Sequence, residues 1–481
     1  MEKVKTVFIS GNFNVLHPGH QRIIKFASEI GKKVIIGVYS DRMAGNDALI
    51  PEEYRLEGVK NNIYISEAFL LDEEVEGYLS RVRPEVVLKG KEWEFKHNKE
   101  ESALKGYGGK LVFSSGGPVF SSQELLKQSS NLEIFQKKSL FPRQFSRRHN
   151  FSKTRLVEVL EGFSELNICV IGDTIIDEYI ACSPLGMSQE DPTIVVTPTE
   201  KARFLGGAGI VAKHAASLGA NVHFLSVVGD DLEKEYVFNE LEVDRMYPKI
   251  AIDENRPTTL KQRFQAEGKS LLKVSHLTQD SIDENIQIFL LNAFEEILPK
   301  VDLVVFSDFN YGCLPQSLVD EMISKSKKAN KLLVSDSQSS SQIGDISRFK
   351  GMDIVFATER EARISLQDPE DGLVVLADKL RENSQSKNIF LKLGSEGVLL
   401  HIQSEDEPSS YITDRLDSLN ESPKDTTGAG DSMLITSSLA RCCGASFWEA
   451  ACLGTIASSI QVGRVGNIPL TMDEFKNFLN A

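Results

Sequence analysis

The chain lacks most of the features that make a function class readable at once. Only six of its 481 residues are cysteine (Cys169, Cys182, Cys313, Cys442, Cys443 and Cys452), all beyond the first third and none in paired C-x-x-C spacing. That excludes a disulfide framework and a thiolate zinc site, and fits the reduced thiols of a cytosolic protein. Long apolar runs are missing too: the longest, such as "VDLVVF", are strand-sized and too short to span a bilayer. Positive charge is in deficit, with 54 Lys and Arg against 69 Asp and Glu and a formal net charge of −15. That balance argues against nucleic acid or an anionic membrane as the main partner. The opening "MEKVKTVFISGNF" has no secretory apolar core, so a cytoplasmic location is expected. Short repeats and low-complexity tracts are absent as well.

What is present is alternation. Strand-like runs and helix-like periodicity follow one another almost throughout, which predicts α/β architecture with parallel sheets. "KTVFIS" reads as a strand, Ile23, Ile24, Ala27 and Ile30 keep helical spacing, and "KKVIIGVYSD" reads as a second strand. The first domain is expected over residues 1–130, with "SSQELLKQ" as a serine-capped helix near its end. "FQKKSLFPRQFSRRHNFSKTR" is basic, contains Pro142 and lacks sustained periodicity, so residues 131–155 are expected to be a linker. From "LNICVIGD" the alternation resumes on a larger scale, and residues 156–481 are enough for one large doubly wound domain.

The first chemical signal is "GNFNVLHPGH", at the turn where the first strand hands over to a helix. Ligands of such βαβ units sit at the strand's C-terminal end against the helix N-terminus, whose free N–H groups and dipole favour phosphate. Pro18 suits a first helical turn, and Gly19 admits a ligand close to the backbone. His17 and His20 would aim imidazole donors at the same pocket. A zinc site would need a third ligand, and the helix supplies none. The segment resembles the HxGH signature of the nucleotidyltransferase superfamily, especially the cytidylyltransferase-like enzymes, over roughly residues 4–130. "VYSD", Arg55, "PEVVLKG" and "FSSQELL" follow in that family's order. The resemblance implies that a sugar phosphate oxygen attacks the α-phosphate of a nucleoside triphosphate and pyrophosphate leaves. His17 and His20 would then stabilise the α-phosphate charge, with Gly11, Asn12, Phe13 and Gly19 around the nucleotide. Ser121 and Ser122 would cap a helix near the triphosphate, and Lys89 and Arg55 would serve as phosphate cations; ordinary capping and surface charge account equally well for those four. Asn14 stands where the family often has Asp.

The second signal is "DTTGAGDSM", residues 425–433, ahead of a helix-like run. Gly428, Ala429 and Gly430 would leave backbone N–H groups bare at a helix N-terminus, an anion hole for a transferring phosphoryl group. Asp431 follows, placed to accept a proton from an attacking hydroxyl. The ordered set resembles the ATP-site signature of the ribokinase-like (PfkB) carbohydrate kinases, and the likeness extends over nearly the whole second part. It implies sugar binding by Asp173 and Asp177 of "GDTIIDEY" and by Gly206 and Gly207 of "LGGAGIVAKHAASLGA". It also implies Mg²⁺ organised by Glu361, and nucleotide contacts from Lys392, Gly394 and Thr427. Ile210, Thr358, Tyr311 and "DSQ" (336–338) depart from the heptose-kinase pattern, where the last two tend to be Lys and "DPK".

Both parts in one chain resemble the bifunctional ADP-heptose synthesis enzymes, with the domain order reversed. The implied fold is an N-terminal Rossmann-like nucleotidyltransferase domain followed by a ribokinase-like doubly wound domain. The implied function is ATP-dependent phosphorylation of a sugar or sugar phosphate, heptose 7-phosphate-like, together with nucleotidyl transfer to a sugar 1-phosphate. Two alternatives stay open: one working domain with the other a nucleotide- or sugar-sensing module, or the same chemistry on another sugar phosphate with CTP. Sugar phosphates and nucleotides are the expected partners, Mg²⁺ and ATP the expected cofactors. A homodimer through the kinase domain is a family-based expectation.

Overall fold

A computed structural model describes residues 4–14, 16, 18–45, 48, 50–90, 93, 98–114, 141–266, 269–338, 344–404, 407, 410–420 and 422–480. The chain falls into two compact units. The first holds Met1–Asn150 together with Glu370–Asp378 and Leu399–Asp417, and the second holds the remainder.

In the first unit, five parallel strands take the order β3-β2-β1-β4-β5. They are β1 (Val4–Gly11), β2 (Gly31–Tyr39), β3 (Glu67–Leu71), β4 (Val86–Gly90) and β5 (Lys110–Ser114). Val7, Phe8 and Ile9 are buried in succession, as a central parallel strand covered on both faces requires. The Pro18–Ile30 helix turns Ile23, Ile24 and Ala27 into the core on one face. At Gly31 a Cβ would lie 2.5 Å from the Val7 side chain, so the helix-to-strand turn closes only on glycine. The order reverses between β1 and β4, which puts the binding crevice at their C-terminal ends, at Gly11–Asn14 and Lys89–Gly90.

Residues 131–140 of the expected linker lie outside the described residues, and the rest is not a structureless connection. Helices span Arg143–Arg148 and Lys153–Glu161. Phe141, Phe145, Leu156, Val159 and Leu160 are buried, so tertiary burial rather than periodicity sets these short helices, and Ser152 Oγ caps the second by accepting from Arg155 N. Within the first unit, Asp414 Oδ2 accepts from Arg148 Nε (2.9 Å) and meets His149 Nε2 (2.7 Å).

The second unit carries the parallel order β10-β9-β6-β13-β14-β15-β16. These are β6 (Asn167–Gly172), β9 (Asn221–Gly229), β10 (Met246–Asp253), β13 (Leu303–Asp308), β14 (Leu332–Ser337), β15 (Ile354–Thr358) and β16 (Asn388–Lys392). A separate four-stranded sheet, β12-β11-β7-β8, is built from β7 (Thr174–Met187), β8 (Ile194–Gly207), β11 (Thr259–Ala266) and β12 (Lys269–His276). β7 pairs antiparallel with β8 and parallel with β11. Because β7 follows β6 after a single residue, Asp173, the small sheet starts at the C-terminal edge of the large one, where ligands of such folds bind.

Candidate functional sites

In the first unit the HxGH turn is built as expected in outline. Pro18, Gly19 and His20 form the first turn of the Pro18–Ile30 helix. The His20 ring lies 5.0 Å from that of Phe13, a buried residue in left-handed conformation (φ 49°). Asn12 Oδ1 is buried without a hydrogen-bond partner among the described residues, an acceptor that a ligand donor would satisfy. His17, Ser121 and Ser122 lie outside the described residues.

The two expected phosphate cations have other employment. Arg55 is only 2% exposed and donates to the carbonyls of Ile50 (2.7 Å), Asn12 (2.7 Å) and Tyr39 (2.8 Å) and to Asp41 Oδ1 (2.6 Å). It clamps the residues that follow β1 and β2, so it shapes the loop instead of facing a ligand. Lys89 Nζ pairs with Glu100 Oε1 at 2.7 Å and lies 4.4 Å above the Trp93 ring, both largely buried ends of a structural pair.

The second site assembles at the junction of the two sheets in the second unit. Gly428 takes a left-handed conformation (φ 75°) as N-cap of the Ala429–Cys442 helix. A Cβ there would lie 2.3 Å from Asn467 Oδ1. Asp431 lies in the first turn of that helix, where Ala429 N donates to Thr426 O at 3.4 Å and Ser432 N to Gly428 O at 2.9 Å, which leaves the amides of Gly430 and Asp431 facing the turn. Thr427 N and Oγ1 both donate to Asp425 Oδ1 (3.0 and 2.8 Å), and Tyr179 OH donates to Asp425 Oδ2 (2.8 Å). The glycine turn is thereby held rigid before any ligand arrives.

Asp431 is buried, and Gln338 Nε2 donates to its Oδ1 at 3.0 Å. Burial, reinforced by the Asp336 carboxylate, pushes its pKa up to about 7, against the pull of Lys392 and Lys261. A carboxylate poised near neutrality at a helix N-terminus is equipped to take a proton from a hydroxyl while the amides receive phosphoryl charge. Lys392 stands below that turn: its Nζ pairs with Asp336 Oδ2 at 2.6 Å and would be 3.2 Å from a Cβ on Gly430. Lys392 is therefore already neutralised by Asp336. Gly394 (φ 60°) turns the chain beside a cavity of about 840 Å³ that Thr358, Arg360, Arg363 and Lys392 also line.

Asp177, expected to bind sugar hydroxyls, is buried beside Arg263 and Asn467. Arg263 Nη2 donates to its Oδ1 and Asn467 Nδ2 to its Oδ2, both at 3.2 Å, and a Cβ on Gly206 would sit 2.4 Å from that Oδ2. Asp173 does not behave as a sugar ligand. Its two oxygens accept the backbone N–H groups of Phe309 (2.8 Å), Tyr311 (3.3 Å) and Cys313 (3.2 Å), so it anchors the loop after β13. Gly207 (φ 60°) caps the Ala208–Ser217 helix, where a Cβ would lie 2.3 Å from Asp173 O.

Glu361 closes a capping box: its Oε2 accepts Thr358 N at 2.6 Å while Thr358 Oγ1 accepts Glu361 N at 3.2 Å. Among the described residues no group of three or more His, Cys, Asp or Glu could hold a metal ion.

Three contributors, Arg263, Lys261 and Arg348, were missed in the sequence. Arg263 bridges Asp177 and Thr427 Oγ1 (2.8 Å), tying the acceptor side to the anion hole. Lys261, two residues earlier on the same face of β11, sits over the Tyr311 and Phe309 rings at 4.9 and 5.3 Å. Arg348 and Ser337 both donate to the buried Asp308 (2.9 and 2.7 Å), fixing the loops around Gln338. The alternating cations of "TLKQRFQ" were the one available signal.

Comparison with known proteins finds two families along the chain, and the pfkB match includes Glu370–Asp378 and Leu399–Asp417, which pack in the first unit. The family described as pfkB family carbohydrate kinase matches residues 165–473, and the one described as cytidylyltransferase-like matches residues 8–110. "Bifunctional protein HldE" of Paramagnetospirillum magneticum is 29% identical over 323 residues, covering 66% of this chain and 64% of that protein. Its counterpart in Desulfatibacillum aliphaticivorans is 29% identical over 319 residues, covering 65% and 63%. The chain thus spans less than two thirds of the length of these relatives. Arabidopsis thaliana ribokinase superposes with TM-score 0.51 at 19% identity, over 66% of this chain and 99% of that one. Escherichia coli phosphofructokinase-2 does so with TM-score 0.53 at 16% identity, over 66% and 98%. These likenesses show the ribokinase-like fold. The matches put the cytidylyltransferase-like part first in this chain, and do not establish that this order is reversed relative to the bifunctional relatives.

Proposed function

Because the chain belongs to the pfkB family of carbohydrate kinases, we propose that its second part phosphorylates a sugar or sugar phosphate with ATP. In the same proposal the first part transfers a nucleotidyl group, with release of pyrophosphate, to the sugar 1-phosphate left once a separate phosphatase has removed the 7-phosphate from the kinase product, so that one chain carries both group transfers of nucleotide-sugar synthesis. The likeness to the bifunctional HldE proteins supports heptose 7-phosphate as the acceptor and ATP as the nucleotidyl donor. The observation that carries the kinase reading is Asp431: a buried carboxyl near neutrality, in the first turn behind Gly428 and within the field of Asp177.

In this reading the acceptor hydroxyl lies between Asp177 and Asp431. Asp431 takes the hydroxyl proton as the oxygen attacks the γ-phosphorus, and the first-turn amides receive the charge on the transferring group. Magnesium supplies charge neutralisation on the nucleotide phosphates when bound. In the first part, His20 and His17 hold the α-phosphate while Arg55 keeps their loop in shape. A cytoplasmic enzyme pairing with a second copy through its kinase part belongs to the same proposal.

The test measures two products on the full chain with Mg²⁺: ADP from ATP plus heptose 7-phosphate, and pyrophosphate from ATP or CTP plus heptose 1-phosphate. Asp431→Asn should lower ADP formation by at least about a hundredfold and spare pyrophosphate release. His20→Ala should do the reverse. Loss of both products by either variant defeats the two-site reading, and pyrophosphate with CTP alone moves the nucleotide assignment.

A further inference from the structure

Among the described residues one side chain donates a hydrogen bond to the Asp431 carboxylate: Gln338 Nε2, to Oδ1 at 3.0 Å. Gln338 is itself held by its backbone. It follows β14 directly, its N–H donates to Asp308 O (2.8 Å), and its carbonyl accepts from Asn310 Nδ2 (3.0 Å). Asn310 stands in left-handed conformation (φ 59°) with its own N–H on Asp308 Oδ1 at 3.0 Å. Asp308 Oδ2 in turn accepts from Ser337 Oγ and Arg348 Nη2. A backbone fixed on both sides lets the flexible glutamine side chain settle on one atom with little further loss of freedom. Four charged groups act on Asp431 from the surrounding elements: Asp336 on β14, Lys392 on β16, Asp177 on β7 and Lys261 on β11. Two are anions and two are cations, and Lys392 is bonded to Asp336. Among the described residues none of them forms an ion pair with Asp431. The group bonded to the carboxylate is therefore an uncharged one.

We propose that Gln338 is a positioning residue for phosphoryl transfer: it holds Asp431 by one oxygen, leaves the other to the acceptor hydroxyl, and sets the pH range in which the base works. The inference rests on the kinase reading above. An N–H donor favours the ionised carboxylate, and a neutral donor does so less than a charged one. The amide also suits both states of the base. When the hydroxyl proton goes to Oδ2, Oδ1 remains an acceptor, so Gln338 stays bonded throughout the step. Burial and Asp336 press the carboxyl up to about 7, and a single amide does not bring it back. An ammonium in the same place would draw it down by about 1 to 3 pH units and weaken its hold on a proton. Position 338 is where the resembling heptose kinases tend to carry lysine, as the last residue of "DPK"; here the string is "DSQ". The exchange leaves an N–H on Asp431 without a positive charge behind it.

The experiment follows ADP formation by the full chain with ATP, Mg²⁺ and a panel of sugars and sugar phosphates headed by heptose 7-phosphate, from about pH 5 to about pH 9. Wild type, Gln338→Met and Gln338→Lys are compared. Methionine keeps the length and removes the donor, while lysine keeps a donor and adds charge. Titration of the substrates is common to all three proteins, so a difference in the midpoint of the pH limb reports residue 338. Gln338→Met should move that midpoint up by about one unit and lower the plateau rate about tenfold, as loss of a hydrogen bond to a charged group predicts. Gln338→Lys should move it down by about 1 to 3 units and recover most of the plateau. A residue that merely packs would change rate or stability and leave the midpoint in place. The same signs should appear without substrate in urea unfolding. The gain that Asp431→Asn confers at about pH 8 over that at about pH 5 should grow in the methionine background and shrink in the lysine background. If one variant does not fold, the other still carries its sign. A limb that stays put in a folded variant, or moves the same way in both, overturns the inference and leaves the kinase reading standing. No ADP from the whole panel, with the urea signs as stated, overturns the kinase reading and keeps the hold of Gln338 on Asp431. No ADP and no such urea signs overturn both.

Discussion

Replacing Asp431 by asparagine should stabilise the folded protein and abolish phosphoryl transfer at the same pH, an outcome a merely structural aspartate would not give. The carboxyl titrates at 3.8 in an ordinary environment and is pushed up to about 7 in the fold by burial and by Asp336. Between those values the folded chain binds a proton that the unfolded chain has released, so stability is lost as pH rises from about 4 to about 7. At about 1.4 kcal/mol per tenfold change, the ionised carboxylate costs folding about 4 kcal/mol near pH 8 and about 2 kcal/mol near pH 5. Asparagine keeps an oxygen for Gln338 and does not ionise. Urea unfolding of both proteins should therefore show a stability gain that is about 2 kcal/mol larger near pH 8 than near pH 5. In parallel, wild-type ADP formation should rise with pH along a limb centred near 7, and the variant should lack that limb along with nearly all its rate. A variant no more stable than wild type near pH 8, or a wild-type rate flat between pH 6 and 8, would refute the reasoning.

Other substitutions test other parts of the same account. Arg55→Met strips four hydrogen bonds from the residues around β1 and β2 and should destabilise the first unit by about 3 kcal/mol, visible as a lowered unfolding midpoint. Arg55→Lys should recover little of this, because one ammonium cannot reach the same set of carbonyls. Asp414 is buried against Arg148 and His149, which hold its pKa down to about 2. Its contribution, about 2 kcal/mol, is present above about pH 4 and disappears as pH falls toward 2, so Asp414→Asn should flatten acid unfolding over that range. Gly428→Ala forces a Cβ into Asn467 at a positive φ and should cost about 1–3 kcal/mol while displacing the anion hole. Its signature is loss of ADP formation with pyrophosphate release intact.

Local chemistry was legible in the sequence wherever neighbours along the chain do the work. The buried run Val7–Ile9, the helix from Pro18 and the Gly428–Asp431 turn all follow from residues a few positions apart. Roles assigned to single charged residues were less secure, because a charge is read correctly only when its partners are known. Arg55 sits in a helix written EEYRLEGVK, and nothing in that string shows that its guanidinium points into carbonyls from two other segments. Asp173 has its motif position, yet its oxygens are taken by amides 136 to 140 residues later. The helices inside the expected 131–155 linker escaped the sequence for a related reason: the short Arg143–Arg148 helix shows no repeat, and only the buried side of Phe145 reveals why it forms, while the two units divide at Asn150 and Phe151.

The same rule explains why the second site has chemistry to offer. A cleft that gathers Asp177, Asp308, Asp336 and Asp431 would be unfavourable if its charges were left to repel. Arg263, Arg348 and Lys392 each pair with one of the first three and offset its charge. Among the described residues Asp431 has no ion-pair partner, only a neutral amide from Gln338, and Lys261 has no carboxylate. Pairing Asp431 directly with a cation would have lowered its pKa. Leaving it with only a neutral amide keeps a proton acceptor near neutrality in the first turn of the helix whose amides would receive phosphoryl charge.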